Sequence, residues 1–379
     1  MRVLHVLHYA PPFAGGVVDH LLALGRALEA RGDSLLLAFP ESRDWHSRLR
    51  GVAEVMILPS IEQPLRTGFA PRLRRLVAER GIDLTQLWFS FALPLALASY
   101  PGRRVAPLLY HWHNPPLALM DAESAAGSGR LRLKRPWARA LARLADRRAI
   151  DLHLVISNEI RELLLRDRWT SDAKMRLLPN GISELPTTQT GRAGPLSDPV
   201  IGAVMNFRPQ KDHATLLSAF ARLRDALPAA RLILVGDGPT RSDVEALAKS
   251  LSIHDAVEFL GHRDDLDLLY RRFDLAVVSS HYEGHSLALL EAMGRGLPVV
   301  ATDLGTVRET LGPELATATV PARDATALSS ALRRWAEDGA ARRAWGGAAR
   351  RRIEERYTLD CWTRRLIEIY EEAWATRRL

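Results

Sequence analysis

The chain has 379 residues, 47% of them hydrophobic and 25% charged, and its net charge of +8 rests on arginine, because lysine occurs only at 134, 174, 211 and 249. That length admits two domains of ordinary size, and the composition is that of a soluble globular protein, not of a disordered or fibrous one. A single cysteine, Cys361, excludes an intramolecular disulfide and a cysteine-based metal site, which fits a cytoplasmic protein. The opening MRVLHVLHYAPP lacks the long apolar core and cleavage site of a signal peptide. No apolar run approaches the ~18 residues that cross a bilayer. The positive charge favours phosphates, nucleic acids and anionic membranes alike. No stacking or groove-reading motif accompanies it, so nucleic acid is not an expected partner.

Residues 2–9 predict a buried parallel strand, PPFAGG a break, and VVDHLLALGRALEARG a helix by its apolar spacing. DSLLLAFP is the next strand, so the chain opens β-loop-α-β. Gly15 and Gly16 fall where a parallel sheet binds ligands, at a strand's carboxyl end and a helix N-terminus. They are either a plain turn or part of a phosphate cradle. The spacing is not that of a dinucleotide fingerprint. VAEVMILP, a helix near 70–80 and DLTQLWFS continue the alternation. APLLYHWHNPP predicts a strand that delivers His111 and His113 to a loop, both on one face because they are two residues apart. No third metal ligand lies near, which leaves a substrate contact or a structural role for each. Residues 130–148 hold eight basic residues and one acid, with Trp137, Leu141 and Leu144 at helical spacing. The stretch is either a helix packed on its own domain or one that touches an anionic membrane surface. Strand-like DLHLVISNEI and KMRLLPNGI follow, then a Thr-, Gly- and Pro-rich linker.

A second β/α series begins at VIGAVMNFRPQKDH. Gly236 and Gly238 turn the chain after the strand RLILV, in the topological place of Gly15 and Gly16. The segment SSHYEGHSLALLEAMGRGLPVVATD, residues 279–303, reads as strand end, turn, helix, Gly-rich break and strand. Glu283 stands at the loop–helix junction beside Gly284, His285, Ser286 and Leu287, where the free N–H groups of a starting helix face an anion. Glu291 sits inside LALLEAM, where a partly buried carboxylate needs donors. A ligand's vicinal hydroxyls would supply them; a pair with Arg295 one turn on is the alternative. Long Arg/Glu-rich helices close the chain from about 324 to 378.

RPQKDHATLLSAF, LILVGDGP, VEFLGHRDDL, the whole of 279–306 and Glu309 resemble, in order and spacing, a family 4 glycosyltransferase of the GT-B fold. In the first half AGGVVDHLLALGRAL, WHN, VISNEI and LPNGI match the same family. The resemblance implies an α/β chain of two Rossmann-like, doubly wound domains facing a central cleft. Residues 1–185 would be the acceptor side, 186–197 a linker and 198–356 the nucleotide-sugar side, with a last helix of about 357–379 returning to the first domain. It implies a retaining transferase that moves a hexose-type sugar from a nucleoside-diphosphate sugar to a saccharide or lipid-linked acceptor, with no cofactor and no metal. Glu283 would meet the donor sugar hydroxyls and Glu291 the ribose. Lys211 and Arg208 would neutralise the departing diphosphate. Backbone amides of Gly284 to Leu287, with Gly15 and Gly16, would cradle the phosphates. His113 would lie near sugar and acceptor, with His111 the weaker candidate for that place.

Four positions depart from the family. Asn206 stands where an arginine is usual, and Arg208 is read as its substitute, with Asn206 kept among the donor-binding residues. His285-Ser286 replaces a common Phe-Gly, and Val18 occupies a place that is often acidic. The alternatives are a catalytically degenerate subunit that binds nucleotide or a partner, and a nucleotide-sugar 2-epimerase, which would need other acid–base residues.

Overall fold

The computed structural model describes residues 1–8, 16–89, 92–99, 106–113, 135–183, 192 and 194–376. Gly15, most of the expected linker and the first part of the basic 130–148 stretch lie outside the described residues. The chain divides into two compact units, Met1–Gly181 with Leu359–Leu379, and Ile182–Thr358.

The first unit is a seven-stranded parallel sheet in the order β3-β2-β1-β4-β5-β6-β7. Its strands are β1 (Arg2–Leu7), β2 (Ser34–Phe39), β3 (Glu54–Ile57), β4 (Leu84–Trp88), β5 (Leu108–Trp112), β6 (Leu152–Val155) and β7 (Met175–Leu177). Strands covered on both faces are buried along their length, and every residue of β4 and β5 is buried, the polar Gln86 and His111 included. The helices are α1 (Gly16–Glu29), α2 (Phe69–Glu79), α3 (Ala92–Ser99), α4 (Arg135–Arg148) and α5 (Asn158–Arg166). Val18, Leu21, Leu24 and Leu28 form the buried stripe of α1. It packs in one cluster with the last helix of the chain, through Trp362, Leu366, Ile369 and Tyr370. Within the basic stretch, Ala145 is fully buried and Leu144 packs on the core of this unit, so the described end of α4 is a packed helix.

The second unit is a six-stranded parallel sheet, β10-β9-β8-β11-β12-β13. Its strands are β8 (Val200–Val204), β9 (Arg231–Val235), β10 (Val257–Gly261), β11 (Leu275–Val278), β12 (Val299–Thr302) and the two-residue β13 (Thr319–Val320). Its helices are α6 (His213–Ala226), α7 (Arg241–Ser250), α8 (Leu266–Tyr270), α9 (Leu287–Gly294), α10 (Gly305–Leu311), α11 (Ala325–Glu337) and α12 (Gly339–Arg356); α13 (Leu359–Ala375) belongs to the first unit. Asp212, Asp324 and Asp338 cap α6, α11 and α12, each side chain accepting an N–H of the first turn. In both sheets the strand order reverses once, between β1 and β4 and between β8 and β11. Such a reversal opens a crevice at the carboxyl ends of the two strands, the usual ligand position in doubly wound sheets. No described helix is long and apolar enough to cross a membrane.

Candidate active site

At the switch point of the second unit, the loops after β8 and β11 are laced together. Ser279 donates its hydroxyl to the Lys211 carbonyl at 2.8 Å, and the His281 N–H donates to the Gln210 carbonyl at 2.7 Å. Pro209–Lys211 forms a 3-10 turn, and Asp212 takes a left-handed conformation (φ 49°) that swings the chain into α6. This lacing brings Lys211 Nζ within 2.6 Å of Glu283 Oε1. Ser280 donates to the same oxygen at 2.6 Å, and Thr306 Oγ1 holds the Glu283 backbone carbonyl at 3.2 Å. Both members of the ion pair are largely shielded, at 18% exposure for the lysine side chain and 10% for the glutamate.

The remaining donor-side candidates surround this pair or support it. Arg208 is exposed, and its charge reaches Tyr282, where it partly offsets the burial and the Glu283 charge that raise the phenol's pKa. Asn206 is exposed and its carbonyl accepts the Arg208 N–H at 2.9 Å. Ser286 caps α9, accepting the Leu289 N–H, so Gly284 to Leu287 form the approach to that helix's N-terminus. The His285 ring is buried 5.3 Å from that of Tyr357. An aromatic side chain suits that contact, which accounts for the exchange with phenylalanine.

Gly236 and Gly238 act through backbone packing. The strap they belong to pairs with the loop after β8, Met205 N–H to the Val235 carbonyl and Phe207 N–H to the Asp237 carbonyl. Gly236 has φ 133°, and a Cβ there would lie 2.2 Å from the Met205 carbonyl oxygen. Glycine is required for the strap to brace the loop that carries Arg208 and Lys211.

Glu291, one turn into α9, is half-buried and accepts a hydrogen bond from Tyr270 Oη at 3.1 Å. Arg295 bonds the Glu291 backbone carbonyl, pairs with Asp267 and stacks over the Tyr270 ring. The two acids at Asp-x-Asp spacing, Asp265 and Asp267, are thus paired with Arg263 and Arg295.

In the first unit, Gly16 opens α1 as described. His20 Nδ1 lies 2.5 Å from the Gly16 carbonyl, and His20 Nε2 accepts the Gly181 N–H at 3.1 Å. Accepting at Nε2 requires the proton on Nδ1, so the ring is neutral, and burial lowers its pKa to about 4. His20 therefore ties the first turn of α1 to the Asn-Gly turn after β7. Of the two β5 histidines, His113 lies past the strand end, its ring 4.8 Å from those of Trp88 and Phe89. Burial, with a smaller contribution from His20, lowers its pKa to about 3. His111 stays inside the strand at 1% exposure and is not delivered to the loop, because the neighbouring β4 covers it with Trp88.

Sequence reasoning missed Ser280, Thr306, Tyr270 and His20, each of which holds a candidate residue in place. Only Ser280 carried a local signal, a hydroxyl three residues before a carboxylate in a turn.

A glycosyl transferases group 1 family model matches residues 191–352, and a glycosyltransferase family 4 model matches residues 14–184. The D-inositol 3-phosphate glycosyltransferase of Salinispora tropica is 34% identical over 190 residues, 47% of this chain and 39% of that protein. The chain spans about half the length, or less, of the first curated relatives it matches. A GDP-mannose-dependent alpha-(1-6)-phosphatidylinositol monomannoside mannosyltransferase of Mycobacterium tuberculosis is 25% identical over 395 residues, 97% of each chain. Among solved structures, a sucrose-phosphate synthase of Thermosynechococcus elongatus superimposes with a TM-score of 0.79 at 24% identity, covering 99% of this chain and 100% of the other. That likeness establishes a shared fold.

Proposed function

We propose that this chain, which belongs to glycosyltransferase family 4 and has the GT-B fold, transfers a hexose-type sugar from a nucleoside-diphosphate donor to a saccharide or lipid-linked acceptor. In this reading the anomeric configuration is retained and no metal takes part. The observation that carries it is the Lys211–Glu283 pair at the switch point of the second sheet, beside the N-terminus of α9.

Breaking the bond between sugar and diphosphate develops negative charge on the departing phosphates. Lys211, Arg208 and the amides of Gly284 to Leu287 supply fixed positive charge and N–H dipoles of the kind that stabilises it. One such preorganised donor contributes roughly 3–4 kcal/mol to a transition state. A carboxylate has about four acceptor sites, and Lys211 and Ser280 use only one oxygen of Glu283. The other oxygen would take the sugar hydroxyls, and Glu291 the ribose diol. The neutral His113 imidazole of the first unit would contact sugar or acceptor. The departing phosphate would itself accept the acceptor's proton, so the reaction needs no separate base. Side-chain cations and backbone N–H groups available to the phosphates, together with the arginine-paired Asp265 and Asp267, support the metal-free form. A lipid-linked acceptor is favoured by the mycobacterial relative, a phosphatidylinositol monomannoside mannosyltransferase.

The test is thermal unfolding with EDTA present and UDP, GDP, ADP or their sugars added. Ligand at about 100 times its dissociation constant stabilises by roughly 2.7 kcal/mol. A shift with one base that disappears in Glu291→Ala supports the reading and identifies the donor class. No shift with any nucleotide refutes it in favour of a degenerate subunit, which the Asn206 exchange would then explain.

A further inference from the structure

Four buried side chains of the first unit form one hydrogen-bonded chain that runs from β1 through the last helix and β4 to β5, and sugar transfer as proposed uses none of them directly. His5 Nε2 on β1 lies 2.6 Å from Tyr370 Oη on α13. Tyr370 donates its hydroxyl to Gln86 Oε1 on β4 at 2.7 Å. Gln86 Nε2 lies 3.2 Å from His111 Nδ1 on β5. None of the four exceeds 1% exposure.

The donors fix the direction of the chain. Tyr370 has one proton and gives it to Gln86, so His5 must donate from Nε2. The Gln86 amide nitrogen can only donate, so His111 Nδ1 must accept. A neutral His111 then carries its proton on Nε2, and burial drives its pKa well below 6.5, with His113, His20 and His5 adding to the shift. His113 stands next to it, ring centroids 4.0 Å apart. Both rings also pack on Trp88, at 4.9 and 4.8 Å. His113 therefore sits in a box whose walls are Trp88, Phe89 and His111.

Among the described residues, Nε2 of His111 and Nε2 of His113 are both buried without a hydrogen-bond partner. A buried polar atom left unpaired is costly, and an apolar core would fill this space without the penalty. Burying two such imidazoles side by side is a cost expected at a site of chemistry. We propose that Gln86 and Tyr370 are positioning residues for sugar transfer, which through His111 hold His113 in one orientation and one neutral form at the carboxyl end of β5. The proposal rests on the reading that His113 meets the sugar or the acceptor.

The test uses the full chain labelled with 15N-histidine, with His111 assigned by comparison with His111→Asn. Long-range proton–nitrogen correlation spectra then report which ring nitrogen of His111 carries the proton. The wild type is expected to show His111 protonated on Nε2 alone. Gln86→Leu and Tyr370→Phe, each checked for an unchanged native near-UV spectrum, are expected to show both tautomers. In both variants kcat for transfer should fall about tenfold, the equivalent of one ordinary hydrogen bond, while the KM for donor stays within twofold. A proton on Nδ1 of His111 in the wild type overturns the proposal, as does an unchanged kcat in folded variants of both residues. A wild type that shows the Nε2–H form but transfers no sugar from any donor refutes the transferase reading instead, and the positioning role with it.

Discussion

Replacing Lys211 by methionine keeps an unbranched side chain only one atom shorter and removes its charge, which isolates the ion pair with Glu283. The two charged atoms are 2.6 Å apart, and their side chains are 18% and 10% exposed. A hydrogen bond between charged groups contributes about 1.5–3 kcal/mol net. Stranding one member of a fully buried pair costs about 3–5 kcal/mol. Glu283 keeps Ser280 as a donor and retains some contact with solvent, so the loss should be near the lower figure, about 2 kcal/mol. For a unit of this size that lowers Tm by about 4–8 °C. Glu283→Gln should cost a similar amount, and the double variant less than the sum, because neither charge is then stranded. A double-mutant cycle on the melting of the second unit reads the coupling, expected at about 1.5 kcal/mol or more. The same single variants should cut turnover at least about a hundredfold. Two single variants that each cost under about 0.5 kcal/mol and add without coupling would refute the pairing. Turnover within threefold of wild type in both would remove the pair from the chemistry.

Two further predictions test the supports of the site. Gly236→Ala puts a Cβ 2.2 Å from the Met205 carbonyl oxygen at φ 133°, so the strap must move away from the loop of Arg208 and Lys211. A loss of about 2–3 kcal/mol is expected, seen as a lower Tm and weaker nucleotide binding; an unchanged Tm would show that the strap does not brace that loop. His20 titrates near 6.5 when unfolded and at about 4 when folded. Its folded pKa is depressed, so the unfolded chain takes up a proton first as pH falls. The stability conferred by the neutral ring is therefore intact above about pH 6.5 and is lost progressively down to about pH 4, on the order of 3 kcal/mol in all. Urea unfolding between these limits should show a slope about 1.4 kcal/mol per pH unit shallower in His20→Gln than in wild type. Equal slopes would mean that His20 is not held neutral.

The fold class was legible because its signals are local. Apolar runs such as LLLAF and LILV, alternating with helical stripes such as Val18, Leu21, Leu24 and Leu28, are written within single segments. Both parallel sheets follow from that alternation, whereas β13, two residues long, is too short to leave a periodic trace. The motif residues around Glu283 were legible for the same reason, since Gly284 to Leu287 adjoin it in the chain. Partners that come from distant strands and helices leave no such trace. Tyr270 reaches Glu291 across 21 positions, and Tyr370 reaches Gln86 across 284. The Glu291 reading shows the difference. Spacing alone offered Arg295 as its partner, one turn on, and in the structure that arginine serves the Glu291 carbonyl and Asp267. A helix surface offers every charged side chain several neighbours of nearly equal reach, and i,i+4 pairs differ by only a few tenths of a kcal/mol. Tertiary contacts then decide, here because α8 lays both Tyr270 and Asp267 against α9. His111 follows the same logic: alternation along β5 gave its face correctly, and only the neighbouring strand, with Trp88 and Gln86, determined that the ring is buried and which nitrogen holds its proton.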